Sequence, residues 1–346
     1  MTRFIDLRSD TVTQPTDEMR RAMMEAEVGD DILGEDPTVD RLEALAAKML
    51  GKEAGLFLIS GTMANQVAIM AATLRGDEIL VSETSHIYNL EVSGLAALSG
   101  VQARPLRSDR GRFDLHEVRK AIRPKGIQSA VTRLICFENT FDLNRGIPLP
   151  ADYVSEVMAV AHERGVSGYM DGARLFNAAV ALGVPASDLT ADVDAVMICL
   201  SKGLCAPVGS ILAGSVDFID RARWVRQRIG GGMRQAGHMA ATGIVALEKM
   251  VPRIAEDHAN ARLLIAKLNE IRPGLVEPTS GQTNVIQASF ESAGKTAQFM
   301  ADELLKRNVK VKPIGDWACR MITHLGIGPN EVEQAVQAIE EVLQGM

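Results

Sequence analysis

The strongest constraint on the fold of this chain is a repeated alternation of short apolar runs with helical segments. The β-rich runs typical of buried strands lie at 78–82, 131–137, 165–170, 193–200 and 209–214. Helical periodicity covers 17–27, 39–50 and 63–75, with further helical stretches near 91–99, 114–123 and 151–164. Because parallel strands need long crossover connections, usually helices, this alternation predicts an α/β fold with a mostly parallel central sheet.

The pattern changes near residue 250, which predicts a second, smaller domain. A long helix over 236–250 is expected to end at Pro252, because proline disfavours a helix interior. Beyond it we expect a helix to about 272, a strand at 283–289, a helix near 295–307, short strands and a closing helix. We therefore predict a large domain over 1–249 and a small C-terminal α+β domain over 250–346.

Composition excludes several classes of protein. The net charge of −7 and the lack of a basic run with interleaved aromatic residues argue against nucleic-acid binding. No apolar run approaches the length that spans a membrane, and the N-terminus lacks the apolar core of a signal peptide. The four cysteines show neither metal-ligand spacing nor disulfide density, so we expect no metal site and a reducing, cytoplasmic location.

Lys202 is the first candidate functional residue. It ends the apolar run "ICL" and is surrounded by small residues in "SKGLCAPVGS". A lysine in this position loses hydration, which makes sense if its amine is needed as a nucleophile or is held in a covalent bond. A lysine that snorkels from a strand end is the alternative, and for Lys202 taken alone it is the simpler interpretation.

Two further motifs precede Lys202 along the chain. In "SGTMANQ", Gly61 and Thr62 open a helix, whose free N–H groups and positive dipole favour a phosphate, although a plain helix cap is the simpler interpretation. In "YMDGARLFN", Asp171 follows a strand and precedes Arg174; a buried structural Asp–Arg pair is equally compatible. A phosphate cup, then an aspartate, then a lysine is the order of a pyridoxal 5′-phosphate (PLP) site, so the three together predict one.

At this point the chain resembles the L-threonine aldolase family of low-specificity type, which has the PLP-dependent aspartate-aminotransferase-like fold. The motifs that carry the resemblance run in the family's order from residue 6 to 325: "DLRSDTVTQPT", "VGDDILGEDPTV", "SGTMANQ", "ETSHIYNLE", "DGARLFNA", "SKGLCAPVGS", "GGGMRQAG" and "CRMITHL". The resemblance implies the PLP-dependent transferase-like fold and a contribution of segment 1–16 to the site.

The resemblance also implies a role for individual residues. Lys202 matches the lysine that binds PLP covalently, Asp171 the partner of the pyridine nitrogen, and His86 an imidazole that stacks on the ring near the substrate hydroxyl. Matches to phosphate contacts are Gly61, Thr62 and Ser201, and matches to groups that hold the substrate carboxylate are Ser9, Arg174 and Arg320. Arg234 matches a phosphate contact from a neighbouring subunit, which implies a dimer or tetramer with shared sites. Glu91 matches an acid on the pyridine side.

The implied activity is cleavage of L-threonine, L-allo-threonine and related L-β-hydroxy-α-amino acids to glycine and an aldehyde. A base must take the β-hydroxyl proton, and either His86 or an ordered water could serve. Leu33, Phe141 and Gln128 stand where family members often carry an aromatic residue or a histidine. The loss of polar groups at these positions favours substrates with a bulkier β-substituent, such as an aryl group.

Other functions are alternatives to the aldolase activity that the resemblance implies. A PLP enzyme of this fold could instead catalyse β-elimination or transamination. A non-catalytic α/β binding protein with a buried structural lysine would be colourless. A dehydrogenase is disfavoured, because the chain contains no GxGxxG loop.

Overall fold

The computed structural model of the protein describes residues 4–141, 145–277 and 280–345. The first three residues of segment 1–16 and the last residue of the expected C-terminal domain lie outside the described residues. The strands are Ile5–Asp6 (β1), Ala54–Leu58 (β2), Glu78–Ser82 (β3), Gln102–Leu106 (β4), Ser108–Asp109 (β5), Arg112–Phe113 (β6), Thr132–Glu138 (β7), Ser167–Asp171 (β8), Ala195–Cys199 (β9), Ser210–Gly214 (β10), Val285–Ser289 (β11), Val309–Lys310 (β12), Lys312–Ile314 (β13) and Ala318–Ile322 (β14).

The helices alternate with these strands over much of the chain. They are Asp17–Glu25 (α1), Pro37–Met49 (α2), Gly61–Ala72 (α3), His86–Asn89 (α4), Leu115–Ala121 (α5), Ala151–His162 (α6), Leu175–Leu182 (α7), Ala186–Thr190 (α8), Val216–Arg228 (α9), Gly237–Val245 (α10), Val251–Ile271 (α11), Ala297–Lys306 (α12) and Pro329–Gln344 (α13). Within the described ranges, no helix combines the length and apolar character needed to cross a membrane.

The central sheet has seven strands in the order β2-β10-β9-β8-β7-β3-β4. The neighbours from β9 to β4 pair in parallel, whereas β10 runs antiparallel to both β9 and β2. Strands β3, β9 and β10 are buried along their whole length, as expected for strands covered by helices on both faces. The prediction of an α/β fold with a mostly parallel sheet is confirmed.

Two strands of this sheet were not predicted, and both lie at its ends. β2 reads "AGLFL", in which glycine and alanine give little strand signal, and it gains its neighbour from β10, far along the chain. β4 contains Pro105, which is tolerated because β4 pairs on one side with β3. Both strands are therefore defined by their sheet partners more than by local sequence.

The expectation that a helix ends at Pro252 was wrong. After α10, a π-helical turn over Ala246–Met250 leads directly into α11, which holds Pro252 in its first turn. Proline is tolerated there because the first N–H groups of a helix have no partner within that helix. The chain thus continues in helical form from 237 to 271, with one wider turn where the hydrogen-bond ladder shifts.

A second, antiparallel sheet follows α11 in the order β11-β14-β13. It packs with α11, α12 and α13 around a separate apolar cluster that includes Leu264, Met321 and Ile339. The N-terminal strand β1 pairs in parallel with β12, and Leu7 is buried in the same cluster. The chain beyond β1 is thereby anchored on the C-terminal region and directed towards the edge of the central sheet.

Candidate active site

A polar cavity of about 150 Å³ lies where the central strands β7, β8 and β9 reach their carboxyl ends. This is the edge at which open α/β sheets bind ligands. The cavity brings together most of the residues that the sequence singled out: Gly61, Thr62, His86, Asp171, Arg174, Ser201 and Lys202. These residues come from separate segments of the chain, so their convergence is a result of the fold.

One wall of the cavity is the N-terminus of α3. Ser60 caps the helix by accepting a hydrogen bond from the Met63 amide at 3.2 Å. Gly61 allows close packing, because a Cβ there would lie 2.9 Å from both Cys199 Sγ and Met197 Cε on β9, and these side chains would have to shift. The absence of a side chain lets α3 lie against β9 and places its free N–H groups at the cavity, where an anion would be stabilised.

Asp171 ends β8 and is held by a buried hydrogen-bond network. Its Oδ1 accepts from the Ala173 amide at 3.0 Å, and its Oδ2 accepts from Asn65 Nδ2 at 2.9 Å. The same Asn65 amide donates to Glu91 Oε1 at 2.6 Å, and the Tyr169 hydroxyl donates to Asn65 Oδ1 at 2.6 Å. Asn65 therefore fixes the orientation of two buried carboxylates at once.

His86 opens the short helix α4 and contacts this network through Glu91. Its Nδ1 lies 3.0 Å from Glu91 Oε1. The hydrogen bond to Glu91 raises the pKa of His86, while partial burial opposes the shift and the negative charge of Asp171 adds to it. One possible ligand atom from each of His86, Glu91 and Asp171 lies within 4.8 Å of the others, and the hydrogen bonds of Asn65 and His86 connect the three groups.

Lys202 projects from the loop that follows β9. Among the residues that the structure describes, none forms a hydrogen bond or ion pair with its ammonium group. Its backbone is fixed instead: the carbonyl oxygen accepts from Thr13 Oγ1 at 2.9 Å and from the Cys205 amide at 2.9 Å. The amine is thus presented to the cavity on a rigid backbone without a competing carboxylate.

Arg174 has a partner that the sequence analysis did not identify. Its Nε and Nη2 donate to Asp10 Oδ2 and Oδ1 at 2.8 and 2.6 Å, and both side chains are almost fully buried. Burial raises the pKa of Asp10, but the adjacent Arg174 charge and hydrogen bonds outweigh it and lower the pKa to about 2. The N-terminal segment therefore fixes the guanidinium that lines the cavity.

The substitution Asp10→Asn is expected to lower the free energy of unfolding by about 3 kcal/mol, because it leaves a buried guanidinium without its counter-charge. Since the pKa of Asp10 is depressed when folded, its stabilisation is complete above pH 3.8 and is lost as the pH falls through about 2. Denaturant titrations at several pH values measure both effects. Asp6→Asn is the matched control: Asp6 forms a more exposed pair with Arg8, so we expect a change below about 1 kcal/mol. Equal losses in the two variants would contradict the importance of burial.

Besides Glu91, which contacts the cavity residue His86, three residues that the resemblance implied do not line the cavity of this chain. Ser9 caps a short turn by accepting from the Thr11 amide at 3.3 Å. Arg320 is buried on β14 and donates from Nη2 to the Arg8 carbonyl at 2.9 Å. Arg234 is exposed and paired with Asp30 at 2.8 Å. Ser9 and Arg320 adjoin the N-terminal segment that carries Asp10, whereas Arg234 lies beside Asp30.

Glu138 and Thr140 are two of the cavity residues that sequence reasoning did not single out. Glu138 ends β7, lies in register with Asp171, and accepts a hydrogen bond from the His86 amide at 2.8 Å. Thr140, two residues further on, also lines the cavity. The available signal was the position of Glu138 directly after a predicted strand, at the same edge of the sheet as Asp171.

The residues around this cavity fit PLP. The free N–H groups of α3 suit a phosphate, the buried Asp171 suits a protonated ring nitrogen, and the unpartnered Lys202 amine suits a covalent bond to an aldehyde. Their chemistry is complementary to three different groups of the same cofactor.

Comparison with known proteins gives a consistent result. The family model described as "Beta-eliminating lyase" matches residues 6–291. Low-specificity L-threonine aldolase 1 of Arabidopsis thaliana is 41% identical over 349 residues, which cover 99% of this chain and 98% of the relative. A putative L-allo-threonine aldolase from Listeria monocytogenes superposes with a TM-score of 0.80 at 22% identity, covering 97% of this chain and 96% of the other. The solved structure of SPT with its PLP internal aldimine superposes with a TM-score of 0.76 at 16% identity, covering 99% of this chain and 88% of the other.

The fold is that of the PLP-dependent enzymes of fold type I, and the residues of the cavity fit the same cofactor. The sequence identity covers nearly the whole chain, well beyond the motifs of the cavity. It therefore assigns the chain to one family within this class. The chain belongs to the low-specificity L-threonine aldolase family, within the broader beta-eliminating lyase family.

Proposed function

We propose that this enzyme cleaves the Cα–Cβ bond of L-threonine and L-allo-threonine to give glycine and acetaldehyde. It acts likewise on related L-β-hydroxy-α-amino acids. The observation that carries the proposal is the cavity in which an unpartnered Lys202, a buried Asp171 and the terminus of α3 converge, in a chain that is 41% identical to a threonine aldolase. The products require one proton to leave the β-hydroxyl group and one to reach Cα.

The cavity residues that the sequence predicted each have a part in this proposal. Lys202 holds PLP covalently, Asp171 keeps its ring nitrogen protonated, and Gly61, Thr62 and Ser201 bind its phosphate. When bound, PLP accepts the electron pair of a bond at the amino acid's Cα. His86 lines the cavity with its ring oriented by Glu91, and its proposed place is next to the substrate hydroxyl.

Substrate orientation decides which bond at Cα breaks. Arg174, held rigidly by Asp10, lines the cavity, and its guanidinium suits a carboxylate. Ser9 and Arg320 are proposed to complete the carboxylate site from the N-terminal segment and β14. A carboxylate held by these three groups sets the rotation about the bond between the amino nitrogen and Cα.

The direct test is product analysis with threonine. We expect glycine and acetaldehyde in equal amounts, whereas β-elimination or transamination would give a keto acid. A panel of β-hydroxy amino acids that includes phenylserine tests the preference for bulky substrates that the sequence suggests. In the structure Phe141 is buried and Gln128 exposed, and neither lines the cavity. Production of a keto acid and ammonia without glycine would overturn the proposed function.

We further propose that the enzyme is a homo-oligomer, a dimer or a homotetramer, with shared active sites. Arg234 supports this, because its side chain is 61% exposed and does not line its own cavity, as expected of a residue that reaches a phosphate in a neighbour. Four buried free cysteines support a reducing, cytoplasmic location. The division into domains over 1–249 and 250–346 is likewise proposed, with the N-terminal strand packed on the second.

Shared sites predict complementation between inactive variants. When Lys202→Ala and Arg234→Ala chains are co-expressed, half of the dimers are hybrids and each has one intact site, so about a quarter of wild-type activity should return. The matched control pairs Lys202→Ala with Asp171→Ala. Both residues lie in one chain's cavity, so those hybrids contain no intact site and should stay inactive. Absence of recovery in the first pair would contradict a shared site.

A further inference from the structure

One carboxyl group on the cavity wall has no part in the roles above. Glu138 is partly exposed to the cavity, and its Oε2 accepts a hydrogen bond from the His86 amide at 2.8 Å. Across the described ranges, no residue is hydrogen-bonded to the other oxygen, Oε1. The backbone amide fixes the position of the carboxyl group while one oxygen remains available to a ligand.

Charged groups on four neighbouring segments surround Glu138. Asp171 lies beside it on β8, His86 begins α4, Lys202 follows β9, and Arg174 precedes α7. Burial raises the pKa of Glu138, and the negative charge of Asp171 raises it further, to about 7, against the opposing effect of the His86 amide and the cations. A carboxyl group with this pKa exchanges protons readily at neutral pH.

His86 is less suited to accept a proton. Its Nδ1 is engaged with Glu91, and that hydrogen bond raises the pKa of the imidazole. A protonated imidazole has two N–H donors and no lone pair with which to take a third proton. His86 is therefore placed to donate to a substrate oxygen, and the neighbouring carboxyl group is placed to accept from one.

We propose that Glu138 is the catalytic base that takes the β-hydroxyl proton of the amino acid. This inference rests on the proposed cleavage reaction. The O–H bond breaks, its electron pair forms the second bond of the aldehyde carbonyl, and the electron pair of the broken Cα–Cβ bond stays with Cα. Glu138 then releases its proton to solvent, and Cα takes a proton from solvent to give glycine, so no other reactant is needed.

The variant Glu138→Gln tests the proposal, because glutamine keeps an acceptor for the His86 amide but cannot take a proton. We expect kcat for threonine cleavage to fall by about 10²- to 10⁴-fold. Two other readouts should change by less than about fivefold, since neither involves a hydroxyl proton. They are the Kd of glycine, measured from the cofactor absorbance, and the exchange of the glycine Cα proton with D₂O, measured by NMR.

The pH profile separates Glu138 from His86. Because the ionised form of Glu138 is the active one, kcat/KM of the wild type should fall as the pH drops through about 7. This acidic limb of the pH profile should persist in His86→Asn and in Glu138→Asp, which keeps a carboxylate. It should disappear in Glu138→Gln. Loss of the limb in His86→Asn instead would overturn the proposal.

The outcomes also distinguish this inference from the proposed function. A wild-type enzyme that exchanges the glycine proton but does not cleave threonine would overturn the function itself. A wild-type enzyme that cleaves threonine, with Glu138→Gln equally active, would overturn the role of Glu138 alone. Equal losses of cleavage and of glycine exchange would assign Glu138 to the cofactor or the fold, and would also reject it as the hydroxyl base. If Glu138→Gln does not fold, the acidic limb of the pH profile and the kcat of Glu138→Asp decide the question.

Discussion

Replacement of Lys202 by alanine is expected to lower kcat/KM for threonine by at least about 10⁴-fold, which corresponds to about 5.5 kcal/mol of transition-state stabilisation. The amine of Lys202 is the group in the cavity that can form a covalent bond with an aldehyde, and it has no competing partner among the residues described. The visible absorbance of the bound cofactor should shift to that of a free aldehyde. Absorbance spectra and product assays on the same preparation measure both effects.

Two variants control for charge and for the loss of any half-buried lysine. Lys202→Arg keeps the positive charge but cannot form the covalent bond, so we expect it to be as inactive as the alanine variant. Lys52 is also partly buried, but its ammonium donates to the Thr190 and Val193 carbonyls away from the cavity. Lys52→Ala should therefore keep the spectrum of the wild type. Substantial turnover by Lys202→Arg would mean that charge alone explains the lysine.

The second large effect is expected for Asp171→Asn, with a fall in kcat of about 10³-fold and a weaker affinity for the cofactor. Asparagine has nearly the same shape, and its single amide oxygen can keep one of the two hydrogen bonds that Asp171 accepts from the Ala173 amide and Asn65. It removes the other acceptor and the negative charge, without which the ring nitrogen of PLP is not kept protonated. Steady-state kinetics and a cofactor titration of the apoenzyme measure the two quantities.

Asp194→Asn is the matched control for this prediction. Asp194 accepts a hydrogen bond from the Gly168 amide at the opposite end of β8, and its side chain is 48% exposed. Its substitution should leave activity within about twofold of the wild type, because surface changes far from a site have small effects. If Asp171→Asn behaved like Asp194→Asn, the charge at position 171 would have no catalytic role.

Much of the site could be predicted because its residues follow predictable strands. Asp171 and Lys202 each come just after an apolar run, and parallel strands present their carboxyl ends at one edge of a sheet. The terminus of α3 could be added because a capping serine and a glycine mark the start of that helix. Local sequence signals were sufficient where the strand or helix that carries a residue also determines the position of that residue in the site.

The remaining features depend on contacts between distant parts of the chain. The partner of Arg174 is 164 residues away, and nothing in the sequence near Asp10 indicates that its carboxylate is buried against a guanidinium. The continuation of the helix past Pro252 depends on a wider turn that periodicity does not reveal. The shifted pKa of Glu138 depends on its register with Asp171 on the neighbouring strand. Such features require the tertiary structure.

Borohydride reduction of the holoenzyme, followed by peptide mass spectrometry, tests the central claim most directly. Reduction makes the bond between an amine and a bound aldehyde permanent, so the labelled residue is identified without any assumption about the reaction. We predict that the peptide with Lys202 carries the cofactor mass and that the other lysines do not. An unmodified Lys202, or a label on another lysine, would contradict the assignment of this cavity as the catalytic site.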